Sequence, residues 1–315
     1  MRLFTEADFA FIGLRRRAYV VSAIIIAIGL GSIAIHGGLN AGVEFTGGTQ
    51  LRVRFSETFE VAQIRDLLNA QGIEGAQIQP LRGGVGSTAE SEFLIRMRSV
   101  SDDGEITDVR DEVENALAAS LDPSVFEIVS GEGIGPRVGS ELQTKATLAV
   151  LLSFLLTLIY LAFRFEWRFG VAAVIATVHD IFITFGFISL LNIEITLAIV
   201  AAILTIIGYS LNDTIVVFDR VRENLRKKRK EPYEETLDRS INETLPRTVL
   251  TSGTTLVALL SLAILGGPVI RPFAIVLIMG VLVGTYSSIF VASPALLEIH
   301  ERARRRAGRA AHATG

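Results

Sequence analysis

The chain has 315 residues, half of them hydrophobic, a formal net charge of -3 and no cysteine. A mean hydropathy of +0.47, carried by long apolar runs, excludes an ordinary soluble domain and points to an integral membrane protein. Without cysteine there are no disulfides, thiolate nucleophiles or cysteine-bound metals, and the histidines at 36, 179, 300 and 312 show no metal-ligand spacing.

In chain order, residues 1–17 form a cytoplasmic N-terminus that ends in Arg15, Arg16 and Arg17. The apolar run 18–37 lacks a small-residue cleavage site and reads as a retained first span, not a signal peptide. Residues 40–140 form a separate acidic domain on the outer side. Thr49–Phe55 alternates with the period of a half-buried strand. Val61, Ile64, Leu67 and Leu68 recur at helical spacing, and Gly72 stops that helix. Gln77–Leu81 and Glu92–Arg98 flank the loop Gly83–Ser87 as a hairpin. Val109, Val113, Ala116, Leu117 and Leu121 predict a second amphipathic helix, and Val125–Val129 a last strand. The order strand–helix–strand–strand–helix–strand is that of a ferredoxin-like α+β sandwich. The glycine-rich stretch Gly131–Gly139 lacks a phosphate-loop context and reads as a flexible joint to the membrane.

Five further spans follow, at 143–163, 169–191, 195–218, 247–267 and 271–297, each near the roughly 20 residues that a bilayer core requires. The fold class is therefore an α-helical polytopic membrane protein with six transmembrane helices and the ferredoxin-like domain between the first two. Basic clusters precede the first span, join the second to the third, fill the loop 219–246, and occupy the tail 298–315. With six spans all four clusters lie on one face, so both termini are expected in the cytoplasm. The mixed charges of 219–246 read as a solvated helix, with lipid contact the lesser reading and nucleic-acid binding not indicated.

Charge inside the spans carries the functional signal. Asp213 lies in the fourth span and Arg247 near the cytoplasmic end of the fifth. An ionisable group within a span costs about 3 kcal/mol on insertion scales and usually serves a function. The two spans run antiparallel, so a direct or water-bridged pair is geometrically open. Tyr209, Ser210, Asn212, Thr214, Thr251, Ser252, Thr254 and Thr255 offer a hydrated path, and Gly208 and Gly253 permit close helix approach. A static salt bridge is the alternative. Pro246 reads as a helix-start residue. His179 and Asp180, in the middle of the third span, form a second candidate relay, although neighbouring residues point about 100° apart on a helix.

Three motifs resemble the SecD/SecF family of bacterial protein-export membrane proteins, on its SecF side. They are GVEFTGGT at Gly42–Thr49, VHD at Val178–Asp180, and GYSLNDTIVVFDRVREN at Gly208–Asn224 with RTVLTSGTT at Arg247–Thr255 downstream. Glu44 stands where the first motif commonly has aspartate, which keeps the charge; Gly42, Phe45, Gly47 and Gly48 complete that motif. The resemblance covers nearly the whole chain. It implies membership of the resistance-nodulation-division (RND) superfamily and a multi-pass protein of the cytoplasmic (inner) membrane. It also implies a heterodimer with SecD, association with the SecYEG channel and YajC, and an indirect link to SecA. The implied work is late translocation of an unfolded polypeptide, driven by the proton motive force through Asp213 and Arg247, with an acidic residue supplied by SecD. No cofactor or metal is expected and the chain is not expected to be an enzyme. Protons are the expected coupling ion, and sodium stays open because a carboxylate among hydroxyls serves either. The competing readings are an RND-type small-molecule or lipid exporter, an intramembrane aspartyl protease using Asp180 and Asp213, and a passive scaffold.

Overall fold

A computed structural model describes residues 8–73, 75–81, 91–97, 106–227 and 231–313. The expected hairpin loop Gly83–Ser87, the acidic residues Asp102, Asp103 and Glu105, and Lys228, Arg229 and Lys230 lie outside the described residues. Among the described residues, six helical segments are long and apolar enough to cross a membrane. They are α1 (Arg15–Ile35), α5 (Pro136–Arg164), α6 (Trp167–Leu190), α7 (Leu197–Lys227), α8 (Tyr233–Leu265), and α9 (Gly267–Ser287) continued through a π-helical turn (Ser288–Ala292) into α10 (Ser293–Ala313).

Between α1 and α5 stand the short helix α2 (Val43–Thr46) and a β1–α3–β2–β3–α4–β4 unit. Its strands are β1 (Gly48–Phe55), β2 (Gln77–Leu81), β3 (Ser91–Met97) and β4 (Phe126–Ile134), and its helices are α3 (Val61–Ala70) and α4 (Ile106–Ala118). The sheet order is β2-β3-β1-β4 and every pair is antiparallel, the ferredoxin-like arrangement expected. Alternation in β1 and β3 sends Leu51, Val53, Phe55, Phe93 and Ile95 into one core with Ile64, Leu68, Val113 and Leu117 from the two helices. The opposite face is charged: the Arg52 and Arg54 guanidinium groups both pair with Glu92, the latter at 2.9 Å. Burial works against the Glu92 carboxylate, but the two arginines outweigh it and hold its pKa below the usual glutamate value.

Three local expectations are corrected. The glycine-rich stretch is not a flexible joint. Gly131, Glu132, Gly133 and Ile134 pair with Leu51, Gln50, Thr49 and Gly48 as the end of β4, and Gly135 alone separates that strand from Pro136, the first residue of α5. Glycines with no side chain to clash can lie in a strand as readily as in a linker when a partner strand takes their amides. Pro246 does not start a helix: α8 begins at Tyr233 and Pro246 lies inside it. The polar stretch before the fifth span therefore continues the span as helix, at the expense of the one backbone hydrogen bond that a proline nitrogen cannot donate. The loop 219–246 shrinks likewise. α7 and α8 extend toward each other as a hairpin, joined side to side by Asn224 donating to Ser240 (3.0 Å) and Glu243 (2.7 Å).

Helices α6, α7 and α9 form the centre of the bundle, whereas α5 and α8 bury little of their apolar surface. In lipid the drive for such packing is close fit, not apolar burial, so small residues mark the contacts. Gly29 of α1 and Gly186 of α6 cross backbone to backbone: a methyl group on either would lie 2.6 Å or 2.7 Å from the other's Cα. Ser32 and Ser189 hydrogen-bond at 3.0 Å one turn away. On α9, Gly280 makes room for the Ile206 side chain of α7, and Gly284 lies close to the Ser210 backbone and side chain.

Gly186→Ala is therefore expected to push α1 from α6 at a cost of about 1–3 kcal/mol, the usual range for overpacking. Thermal unfolding of the detergent-purified chain measures it, and an unchanged Tm would contradict the crossing.

Candidate functional site

Two buried carboxylates lie at the bundle centre, and they are held very differently. Asp180 of α6 is 2% exposed. Its Oδ1 bonds His179 Nδ1 at 2.8 Å, and its Oδ2 accepts from Ser287 at 2.7 Å and from Ser210. His179 Nε2 in turn meets Ser22 of α1 at 2.9 Å; Ser22 lies 3.2 Å from the Tyr286 hydroxyl, which donates to the Ala18 carbonyl at 3.0 Å. The network thus spans α1, α6, α7 and α9. The expected divergence of His179 and Asp180 around the helix is overcome because the imidazole bends back onto its own neighbour. That leaves its second nitrogen for α1.

Asp213, three residues along α7 from Ser210, is equally buried at 2%. Its contacts are longer: Ser252 of α8 and Thr285 of α9 both reach Oδ2, at 3.5 Å and 3.4 Å. Those two hydroxyls prefer each other, at 2.7 Å. Tyr209 extends the cluster to Ser252 and Thr255, at 3.4 Å and 3.5 Å. Bonds near 3.5 Å are weak, so this carboxylate is enclosed by hydroxyls without being tied by them. Asp180 and Asp213 share no hydrogen bond, and an aspartyl-protease dyad requires two carboxyls sharing one proton.

The direct Asp213–Arg247 pair is not formed. Arg247 is exposed and makes no ion pair with Asp213. Helical geometry gives the reason. Thr248 and Ser252, four apart on α8, face inward. Arg247, Thr251 and Thr254 occupy the adjoining outward face. Thr251 spends its hydroxyl on the Arg247 and Thr248 carbonyls, and buried Thr214 bonds back to Ser210, so neither reaches Asp213. Asn212 is exposed and lines a groove between α5 and α7 with Gly208, Leu152 and Ser153. Sequence reasoning missed Ser22, Thr285, Tyr286 and Ser287. The run Thr285–Ser288, four hydroxyl residues inside an apolar span, was the available signal. Among the described residues no group of three His, Asp or Glu side chains is arranged for a metal ion.

The Gly42–Thr49 motif joins the ferredoxin-like domain to this site's helices. Gly42 starts α2, Gly47 turns the chain into β1 at φ +72°, and both contacts are tight. A methyl on Gly42 would lie 2.9 Å from Glu194 Oε1, and one on Gly139 of α5 would lie 2.9 Å from the Gly47 nitrogen. Gly42 donates to the Ile195 carbonyl at 2.9 Å, and Ile195 donates to Asn40 at 2.7 Å. Phe45 is buried. The Glu44 carboxylate accepts from the Leu197 amide at the start of α7, where a helix end favours negative charge. From the sheet, Arg96 pairs with Glu194 and donates to Gln50 at 3.0 Å. Burial brings the Arg96 guanidinium down to about 10, still cationic at neutral pH.

Residues 113–302 match the family model for the protein export membrane protein SecD/SecF, C-terminal, and residues 33–58 match the SecD/SecF GG motif. The chain belongs to the SecD/SecF family. It is 46% identical to the protein translocase subunit SecF of Gemmatimonas aurantiaca over 96% of this chain and 90% of that one. Its structure is similar to the crystal structure of SecDF, a translocon-associated membrane protein from Thermus thermophilus, with a TM-score of 0.84 at 39% identity, covering 96% of this chain and 40% of that one. Similarity to SecDF in the super-membrane-facing form is lower in shape, with a TM-score of 0.68, at 40% identity and coverage of 98% and 40%. The chain thus spans about two fifths of the length of the SecDF polypeptides. The matched GG-motif segment includes Gly47 and Gly48, with Gly47 packed against α5, and the larger family segment includes both buried acids.

The unequal holding of the two acids has a measurable consequence. Asp180→Ala strips three donors of their shared acceptor and is expected to cost about 2–3 kcal/mol of stability. Asp213→Asn is expected to cost under about 1 kcal/mol, in line with single polar contacts inside membranes. Thermal unfolding of both variants checks the contrast; equal losses would refute it.

Proposed function

We propose that this chain is the SecF-type half of a proton-driven protein-export machine, in which Asp213 is the group that gains and loses the proton. The observation that carries this reading is the contrast at the bundle centre. Asp180 has both carboxylate oxygens committed to bonds that join α6, α7 and α9, with His179 extending the network to α1, as a structural node requires. Asp213 is just as buried but has only two long contacts. A carboxylate held so weakly can change charge without dismantling the bundle.

Arg247 completes the proposal from the outward face of α8. A guanidinium on the outside of an apolar span needs a counter-charge in the membrane. An acidic residue of a SecD-type partner fits that need. The SecDF relatives, which extend well beyond this chain's length, support a SecD-type partner. The SecYEG channel, YajC and, indirectly, SecA are the further partners proposed, with an unfolded polypeptide as cargo and the cytoplasmic membrane as location, both termini inside. The chain then acts in transport and not as an enzyme. One charge crossing 100 mV gains about 2.3 kcal/mol, so a few protons bias a rearrangement between states a few kcal/mol apart. The unequal match to two SecDF forms at nearly equal identity supports a moving assembly.

Proton flux out of inverted vesicles carrying the chain with its SecD-type partner tests the reading. Asp213→Asn and Arg247→Met are each expected to cut flux about a hundredfold, the scale for removing a proton-transferring group. Flux in sodium-free buffer is expected to persist. Unchanged flux in both variants rejects the proposal, and flux that requires sodium replaces the ion.

A further inference from the structure

The outer domain meets the membrane helices where α6 turns into α7, and three separate contacts converge there on Glu194, Ile195 and Leu197, the last being the first residue of α7. Gly42 and Asn40 pair backbone to backbone with Ile195. Glu44 accepts from Leu197. Arg96 pairs with Glu194. The first two come from the segment that links α1 to β1. The third alone reaches into the sheet. Strand alternation explains how: Phe93, Ile95 and Met97 face the domain core, so Arg96 stands on the opposite face, toward the membrane. Its Nε is fixed by Gln50 on the adjacent strand, and its side chain and that of Glu194 are only 10% and 14% exposed.

This turn is a mechanically favoured place to grip. It ends the helix that carries Asp180 and starts the helix that carries Asp213. Asp213 lies 16 residues into α7, about 24 Å along an unbroken helix at 1.5 Å per residue. The turn itself is constrained, with Asn192 in the left-handed region at φ +49°. Displacement of α7 therefore moves Glu194 as part of a stiff unit. An enclosed ion pair resists separation, because neither charge has water to return to.

We infer that the Arg96–Glu194 ion pair is the link that makes the outer domain follow α7, with Arg96 as a positioning residue for force transfer and not a proton carrier. The inference rests on the proton-driven reading of Asp213 and goes beyond it by naming where the membrane half holds the outer half.

The experiment measures proton flux and polypeptide export in the same inverted vesicles, containing the full chain, its SecD-type partner and the export channel. Arg96→Gln and Glu194→Gln are each expected to lower export about tenfold, within the usual range of inter-site coupling, while flux stays near wild type. The exchanged pair, Arg96→Glu with Glu194→Arg, is expected to recover most of the export. Retained flux shows that the membrane half is folded. Unchanged export in the single variants overturns the inference. So does a parallel loss of flux and export, which would make the pair a support of the Asp213 site. Failure of the exchanged pair to recover export overturns it as well. Asp213→Asn run alongside separates the two ideas: flux that survives this substitution rejects the proton-carrying reading itself, whatever Arg96 does.

Discussion

Asp180 is the point on which the bundle turns. Polar groups inside a membrane protein have no water to fall back on, so they are satisfied by one another or not at all. Here one carboxylate gathers a histidine and two serines, and through them a third serine and a tyrosine, from four helices. That arrangement needs backbones close enough for short side chains to meet. Glycines 29, 186, 280 and 284 supply the closeness by leaving no Cβ at the crossings. Small residues and buried hydroxyls are thus two halves of one device: the first brings helices together and the second gives them a reason to stay in register.

Against that fixed node, Asp213 is a group left partly undone. Its neighbours Ser252 and Thr285 bond each other more closely than either bonds the carboxylate. The position of Arg247 on the outer surface of α8 divides the charged machinery between two faces of the bundle. One is enclosed within this chain. The other is open to a partner, which is consistent with relatives in which a matching segment is two fifths of a longer polypeptide.

The ferredoxin-like domain is clamped and not tethered. Strand β4 runs to within one residue of α5, and the family's glycine motif packs against α5 and the α6–α7 turn with no space for a side chain. A sandwich of this kind has one face covered by helices and one face free. The free face is charged here, and it presents Arg96 to the membrane surface. The domain therefore has both a covalent entry through α1 and α5 and a noncovalent grip on the helices that carry the acids.

Much of this was legible in the residues alone. An apolar run is read directly from consecutive residues, so six spans were readable. Period-two and period-3.6 patterns are local, so the ferredoxin-like order of the domain was readable too. A charge in an oily run is costly anywhere it is found, which singled out Asp180, Asp213 and Arg247 before any coordinates. What the sequence could not say was which side of a helix each group faces relative to its neighbours. The facing of Arg247 away from Asp213, the capture of Asp180 by Ser210 and Ser287, the cap of Glu44 on α7 and the pairing of Arg96 with Glu194 join residues between 30 and 153 positions apart. Such contacts are set by helix rotation and close approach, and those are decided only when all the helices pack together.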